Sequence, residues 1–237
     1  MSEMKVLVLG GMHGNEELGI KLVRRLKKYP INNVEAVIAN PKAVTTKTRF
    51  VESDLNRSFG TEFAGTYESD RAIVLKEYAI KFDIVLDFHN TLTANNNCVF
   101  VGKRCKTALY QVIKMTGLTN CVEATYDCIN KFCGNVISIE ISIGDALDNV
   151  DFWYQYIVKL SSGLSENQQA KLSVFRFVRR VTWQEQADYQ INAWQPFKPI
   201  NTALQKKMGL SGIIVPIFIE SKLTEFYATL LSKERTV

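Results

Sequence analysis

Short apolar runs recur at residues 5–9, 34–39, 84–89, 98–101 and 135–143, each of a length suited to a buried strand. Between them the period changes. Residues 17–28 place Leu18, Ile20, Leu22, Val23 and Leu26 at near-helical spacing, and residues 67–78 predict a second helix. This alternation of strands with helices predicts an α/β fold. A polar stretch, Ser161-Ser162-Gly163-Leu164-Ser165-Glu166-Asn167-Gln168-Gln169, then marks a boundary. Beyond it, residues 172–181 and 212–219 read as strands on either side of a Trp194-Gln195-Pro196-Phe197-Lys198-Pro199 turn region. The pattern therefore predicts a catalytic α/β domain over 1–163 and a small β-rich domain over 164–237.

The period-two pattern also sorts chemistry onto faces. In Val136-Ile137-Ser138-Ile139-Glu140-Ile141-Ser142, the isoleucines point one way and Ser138, Glu140 and Ser142 the other, so Glu140 is a single charge on a polar strand face. It reads either as an exposed glutamate at a sheet rim or as a general base. Asp87 shares a strand face with His89, as a support for that histidine or as a plain buried polar residue.

The chain has two histidines, and both stand where a metal ligand is useful. His13 lies in Gly10-Gly11-Met12-His13-Gly14-Asn15-Glu16, after a strand and before a helix, with Glu16 three residues on. His89 ends an apolar strand, at the carboxyl end where open α/β sheets place their ligands. Two histidines and a carboxylate with an open fourth position make a catalytic zinc site, one ion per chain. The glycines of residues 10–14 lack the G-x-G-x-x-G and GK[ST] spacings of phosphate-binding loops. A zinc hydrolase needs a carboxylate to take a proton from the attacking water and pass it to the leaving amine, and Glu140 is the candidate. Arg49 and the run Asp54-Leu55-Asn56-Arg57-Ser58-Phe59 supply guanidinium and amide groups suited to a carboxylate, or to ordinary solvation of a loop.

Length and composition narrow the class. At 237 residues, 46% hydrophobic and 22% charged, the chain matches a globular protein of one large domain or one large plus one small. No window approaches the roughly 20 apolar residues that span a bilayer, and the N-terminus lacks a signal-peptide pattern, so no membrane association is expected. Five cysteines, without a CxxC pair, read as reduced thiols of a cytoplasmic protein. The net charge of +5 comes from dispersed Lys and Arg, which fits a small anionic substrate and gives no nucleic-acid footprint.

Together, Gly11-Met12-His13-Gly14-Asn15-Glu16, Asn40-Pro41-Lys42-Ala43-Val44, Thr48-Arg49-Phe50, Asp54 to Phe59, Asp87-Phe88-His89-Asn90-Thr91 and Ile139-Glu140 resemble the aspartoacylase and succinylglutamate desuccinylase family, itself related to zinc carboxypeptidases. The resemblance covers residues 5 to about 145, and a weaker likeness continues through Trp194-Gln195-Pro196 and Pro216-Ile217-Phe218. It implies a mixed sheet flanked by helices and the hydrolysis of N-acetyl-L-aspartate to aspartate and acetate, with zinc held by His13, Glu16 and His89. Arg49 would polarise the amide carbonyl, Asn56 and Arg57 would hold the α-carboxylate, Glu140 would be the base, and Tyr126 would line the pocket. The family arginine for the side-chain carboxylate falls on Asn130, followed by Lys131, which would supply the charge. The family's C-terminal pocket tyrosine falls on Thr224, with Tyr227 three residues beyond. A homodimer is compatible with this reading. Two alternatives stay open: a deacylase of another N-acyl amino acid, such as an N-acetyl aromatic residue or succinylglutamate, and a catalytically idle scaffold, which would ordinarily have lost a ligand or Glu140.

Overall fold

A computed structural model describes residues 4–163, 170–220 and 226–237. Among these residues one sheet is built from β1 (Val6–Gly10), β2 (Val34–Ile38), β3 (Ile84–Thr91), β4 (Cys98–Gly102), β5 (Asn120–Ala124), β6 (Val136–Ser142), β7 (Ser173–Thr182), β8 (Ile214–Ile217) and β9 (Phe226–Thr236). Its order is β2-β1-β3-β6-β4-β5-β7-β9-β8. Strands β2, β1, β3 and β6 run parallel, β4 is antiparallel to β6, and β4, β5 and β7 are again parallel. The sheet is therefore mixed. The helices are α1 (Glu17–Lys28), α2 (Pro41–Thr46), α3 (Tyr67–Ala79), α4 (Leu109–Met115), α5 (Ile129–Phe132), α6 (Val150–Ser161), α7 (Trp183–Asp188) and α8 (Thr202–Lys207).

Both faces of the sheet are covered, which is why its central strands read as near-continuous apolar runs. On one face Val6, Val8, Leu86, Phe88, Ile137, Ile139 and Ile141 pack with Leu18, Leu22 and Leu26 of α1 and Trp153 and Ile157 of α6. On the other, Leu7, Leu9 and Val85 pack with Ala72, Leu75 and Ala79 of α3. The pleat sends Asp87, His89, Ser138 and Glu140 to this second face. Helix α1 lies flush on β1 and β3, because Gly10 and Gly19 have no side chain: a Cβ on Gly10 would stand 2.1 Å from the Gly19 carbonyl oxygen. Close packing there brings the start of α1, with Glu16, over the strand ends.

Each strand and helix predicted from the pattern is present, and β5 and β9 are additional. The stretch 164–169 lies outside the described residues, so the predicted boundary falls there in part. Beyond it, hydrogen bonding runs on without a break, since β7 pairs with β5 and β9 with β7. The C-terminal strands also share in an apolar cluster of their own, with Val181, Ile191, Ile200, Ile214, Tyr227 and Leu230. None of the described helices is long and apolar enough to cross a membrane.

Candidate metal centre and active site

Three side chains converge over the second face of the sheet. His13 follows β1, Glu16 immediately precedes α1, and His89 stands near the end of β3. His13 Nδ1 lies 2.6 Å from Glu16 Oε1, and His89 Nδ1 lies 3.0 Å from Glu16 Oε2. One ligand atom from each of the three lies within 4.8 Å of the others, and all three residues are buried. The two rings face this common point at 5.4 Å between centroids.

The far nitrogen of each ring is held by a carboxylate. His89 Nε2 donates to Asp87 Oδ2 at 2.8 Å, and His13 Nε2 donates to Asp54 Oδ1 at 3.0 Å. Each bond fixes the tautomer that leaves Nδ1 as the ligand atom, the outer-shell arrangement usual around metal-bound histidine. Ser138 Oγ lies 2.9 Å from both Asp87 Oδ2 and Asn130 Oδ1. Asp87 thus serves His89 as the shared strand face suggested. Asp54 was not singled out from the sequence, although an Asp ahead of a short helical turn is a typical cap. It accepts from the Asn56 backbone N–H, opening a 3₁₀ turn over Leu55–Arg57, while binding His13 and Arg49 with its two oxygens.

The donor set suits a divalent cation. Carboxyl groups of Glu16, Asp54, Asp87 and Glu140 crowd one place, Glu16 and Asp87 buried and Asp54 and Glu140 partly so, and Asp87 Oδ1 is buried without a hydrogen-bond partner among the described residues. Burial alone would lower both imidazole pKa values, yet Glu16 and Asp54 raise that of His13, and Asp87 and Glu16 raise that of His89. Burial likewise opposes ionisation of Glu16 and Asp54, but the histidines hold both carboxyls well below their ordinary range. Positive charge is wanted here. Two imidazole nitrogens and a carboxylate match the protein donor set of catalytic zinc.

Glu140 stands beside this point. It is the registered partner of His89 across the parallel β3–β6 pair, so the two side chains share a face. Burial pushes its carboxyl up to about 7, Glu16 adds to the rise, and the histidines and Arg49 oppose it. That suits proton transfer near neutrality. The residue as a whole is only partly buried. Arg49 reaches in from a loop, 3.2 Å from Asp54 Oδ2 and 3.7 Å from Glu16 Oε1.

Asn56 and Arg57 follow on the turn. Asn56 is 7% exposed, and its Oδ1 is buried without a partner among the described residues. Arg57 donates to the Asn56 carbonyl and lays its guanidinium 3.9 Å over the Tyr126 ring. Burial raises the Tyr126 phenol well above its ordinary value, which keeps it a neutral donor.

Three positions that the resemblance links to the pocket are engaged in other contacts. Asn130 is locked in the core, 1% exposed, donating to the carbonyls of Phe100 and Val136. Lys131, half-exposed, pairs with Asp127 one turn back. Tyr227 is buried in the C-terminal cluster between the Trp183 and Trp194 rings, because its strand turns that face toward the cluster. Thr224 lies outside the described residues.

The family model of the succinylglutamate desuccinylase/aspartoacylase catalytic domain matches residues 2–128, more than half of the chain. The chain belongs to this family. The family is one of hydrolases, and the matched stretch holds His13, Glu16, Arg49, Asn56, Arg57, His89 and Tyr126 but ends before Glu140, whose placement rests on the β3–β6 register. A probable aspartoacylase of Trichodesmium erythraeum (strain IMS101) is 26% identical over 227 residues, covering 80% of this chain and 76% of that protein. A human N-acyl-aromatic-L-amino acid amidohydrolase (carboxylate-forming) is 37% identical over 118 residues, 42% of this chain and 37% of that protein. The chain thus spans well under half the length of that human relative. Among solved structures, murine aminoacylase 3 superposes with a TM-score of 0.70 at 21% identity, covering 100% of this chain and 98% of that one. The succinylglutamate desuccinylase of Chromobacterium violaceum gives 0.73 at 15% identity, covering 98% and 86%. Both show the same fold.

Proposed function

We propose that this chain is a zinc-dependent amidohydrolase that deacylates N-acyl amino acids. The observation that carries the reading is the convergence of His13, Glu16 and His89 beside Glu140 on one buried sheet face. When bound, zinc would supply Lewis-acid chemistry, polarising the amide carbonyl and acidifying water. His13 and His89 would hold it by Nδ1 and Glu16 by its carboxylate, with Asp54 and Asp87 keeping the rings oriented. Glu140 takes a proton from water as its oxygen bonds to the acyl carbon. The C–N bond then breaks, and Glu140 delivers the proton to the departing nitrogen. Arg49 faces the oxygen where negative charge grows. Asn56 and Arg57 hold the α-carboxylate common to these substrates, and Tyr126 backs Arg57 from below.

N-acetyl-L-aspartate is the substrate the resemblance implies, and its second carboxylate requires a second cation. The placements of Asn130 and Lys131 favour a different acyl amino acid, one with a neutral side chain. The sheet face beyond Glu140 points the same way: Cys98, the antiparallel partner of Glu140, and Phe100 belong to an apolar cluster against which Tyr126 packs. A panel of N-acetyl-L-aspartate, succinylglutamate and N-acetyl derivatives of neutral and aromatic amino acids tests both points with zinc-loaded protein. Hydrolysis of at least one is expected, and inertness toward all of them would overturn the assignment. On the panel Lys131→Ala should lower kcat/KM for N-acetyl-L-aspartate by no more than for neutral substrates. A selective loss of tenfold or more on the acidic substrate, the size of about 1.4 kcal/mol, would place Lys131 in the pocket.

A further inference from the structure

We propose that Glu68 is a positioning residue for the reaction, acting through the loop that aims Arg49; this rests on the function proposed above. Glu68 lies in the first turn of α3 and is fully buried. Its carboxylate accepts four hydrogen bonds, two at each oxygen. Asn40 Nδ2 and the Val51 backbone N–H reach Oε1 at 3.0 and 2.8 Å, and the Glu52 and Ser53 N–H groups reach Oε2, both at 3.1 Å. Burial disfavours the ionised form, but these donors more than offset it and hold the carboxyl below its ordinary range. Buried carboxylates are costly unless fully bonded, and here the partners are three successive amides of one loop.

That loop is short and fully committed. Just before it, the Arg49 carbonyl accepts from the N–H of Gly14, next to the ligand His13, at 3.3 Å. Immediately after it comes Asp54, which binds His13 and Arg49. Ser53 Oγ adds contacts to Ser58 and Thr66 at 3.1 and 2.9 Å. Asn40 caps α2 with its other amide atom, accepting from the Ala43 N–H. Glu68 is thus the anchor between α3, α2 and the segment that aims a guanidinium at the reacting carbonyl. Helix α3 buries Glu68 and Ser69 in its first turn together with the apolar Ala72, Leu75 and Ala79, so the carboxylate sits on the helix's core-facing side.

The test compares zinc-replete wild type, Glu68→Gln, Arg49→Ala and the double variant on a substrate that wild type hydrolyses. Glutamine keeps the shape but presents an NH2 to N–H groups that need acceptors. Glu68→Gln should keep one zinc per chain, speed hydrogen exchange at Val51, Glu52 and Ser53 while leaving β1 and β3 unchanged, and lower kcat at least about tenfold with little change in KM. In the Arg49→Ala background the same substitution should cost no more than about twofold, because coupled residues are not additive. Unchanged kcat in Glu68→Gln, or an equal loss in both backgrounds, would overturn the proposal. If Glu68→Gln does not fold, Asn40→Ser keeps a cap for α2 and removes one donor to Glu68. It should lower kcat about threefold, again only when Arg49 is present, and an equal loss without Arg49 would overturn the proposal. A wild type that hydrolyses nothing on the panel overturns the proposed function instead, which separates the two failures.

Discussion

Replacing either His13 or His89 by alanine is expected to remove both the metal and the turnover. In the proposed centre each histidine supplies one of three protein ligands, and the Nδ1 positions are set by bonds from Nε2 to Asp54 and Asp87 that an alanine cannot make. With one ligand gone, Glu16 and the remaining histidine cannot close a tetrahedral site, and metal affinity falls sharply. The rate should drop at least about a thousandfold, because the metal contributes several kcal/mol to the transition state and about 1.4 kcal/mol is a factor of ten. Elemental analysis beside the rate measurement checks this. One zinc per chain in wild type and none in either variant is the expected pair of results. Full zinc occupancy in both variants would remove the two histidines from the metal site.

Glu140→Gln is expected to separate binding from chemistry. Glu140 is near the ligands without being one of them, so the variant should hold its zinc and keep KM within a few-fold of wild type. Glutamine has nearly the same volume and cannot take a proton. General base catalysis contributes typically 10²–10⁴-fold, and kcat should fall by about that factor. Isothermal binding of a slowly hydrolysed substrate to the variant would confirm that the pocket survives. Near-normal kcat in zinc-replete Glu140→Gln would assign the proton transfer to another group.

Much of this site is readable in the sequence because the strands are regular. Period-two alternation in 136–142 predicts that Glu140 leaves the isoleucine face, and the same alternation puts Asp87 with His89. The separation of His13 from Glu16 by two residues predicts a ligand pair, and the turn between β1 and α1 brings the two side chains together. What periodicity does not show is which loop residues meet across the fold. Asp54 and Glu68 bond backbone amides, one imidazole, one guanidinium and the Asn40 side chain, contacts that depend on where α3 and the 49–58 loop come to rest. Strand β5 is equally hard to read: it is five residues, Asn-Cys-Val-Glu-Ala, and its Glu123 is accommodated inside the sheet by Arg176 and Arg235. Strand β9 begins apolar and ends charged, with register shifts against β7 that break the alternation. Tyr227 and Lys131 were assigned from resemblance, and local packing sent one to a tryptophan pair and the other to Asp127.

The most direct measurement is hydrolysis of the N-acyl amino acid panel by one protein preparation in three states: as zinc-loaded, after removal of metal by a chelator, and after zinc is restored. The predicted result is turnover in the first state, its loss in the second with the protein still folded, and its recovery in the third at one zinc per chain. Undiminished turnover in the metal-free protein would contradict a metal centre at His13, Glu16 and His89 as the source of the activity.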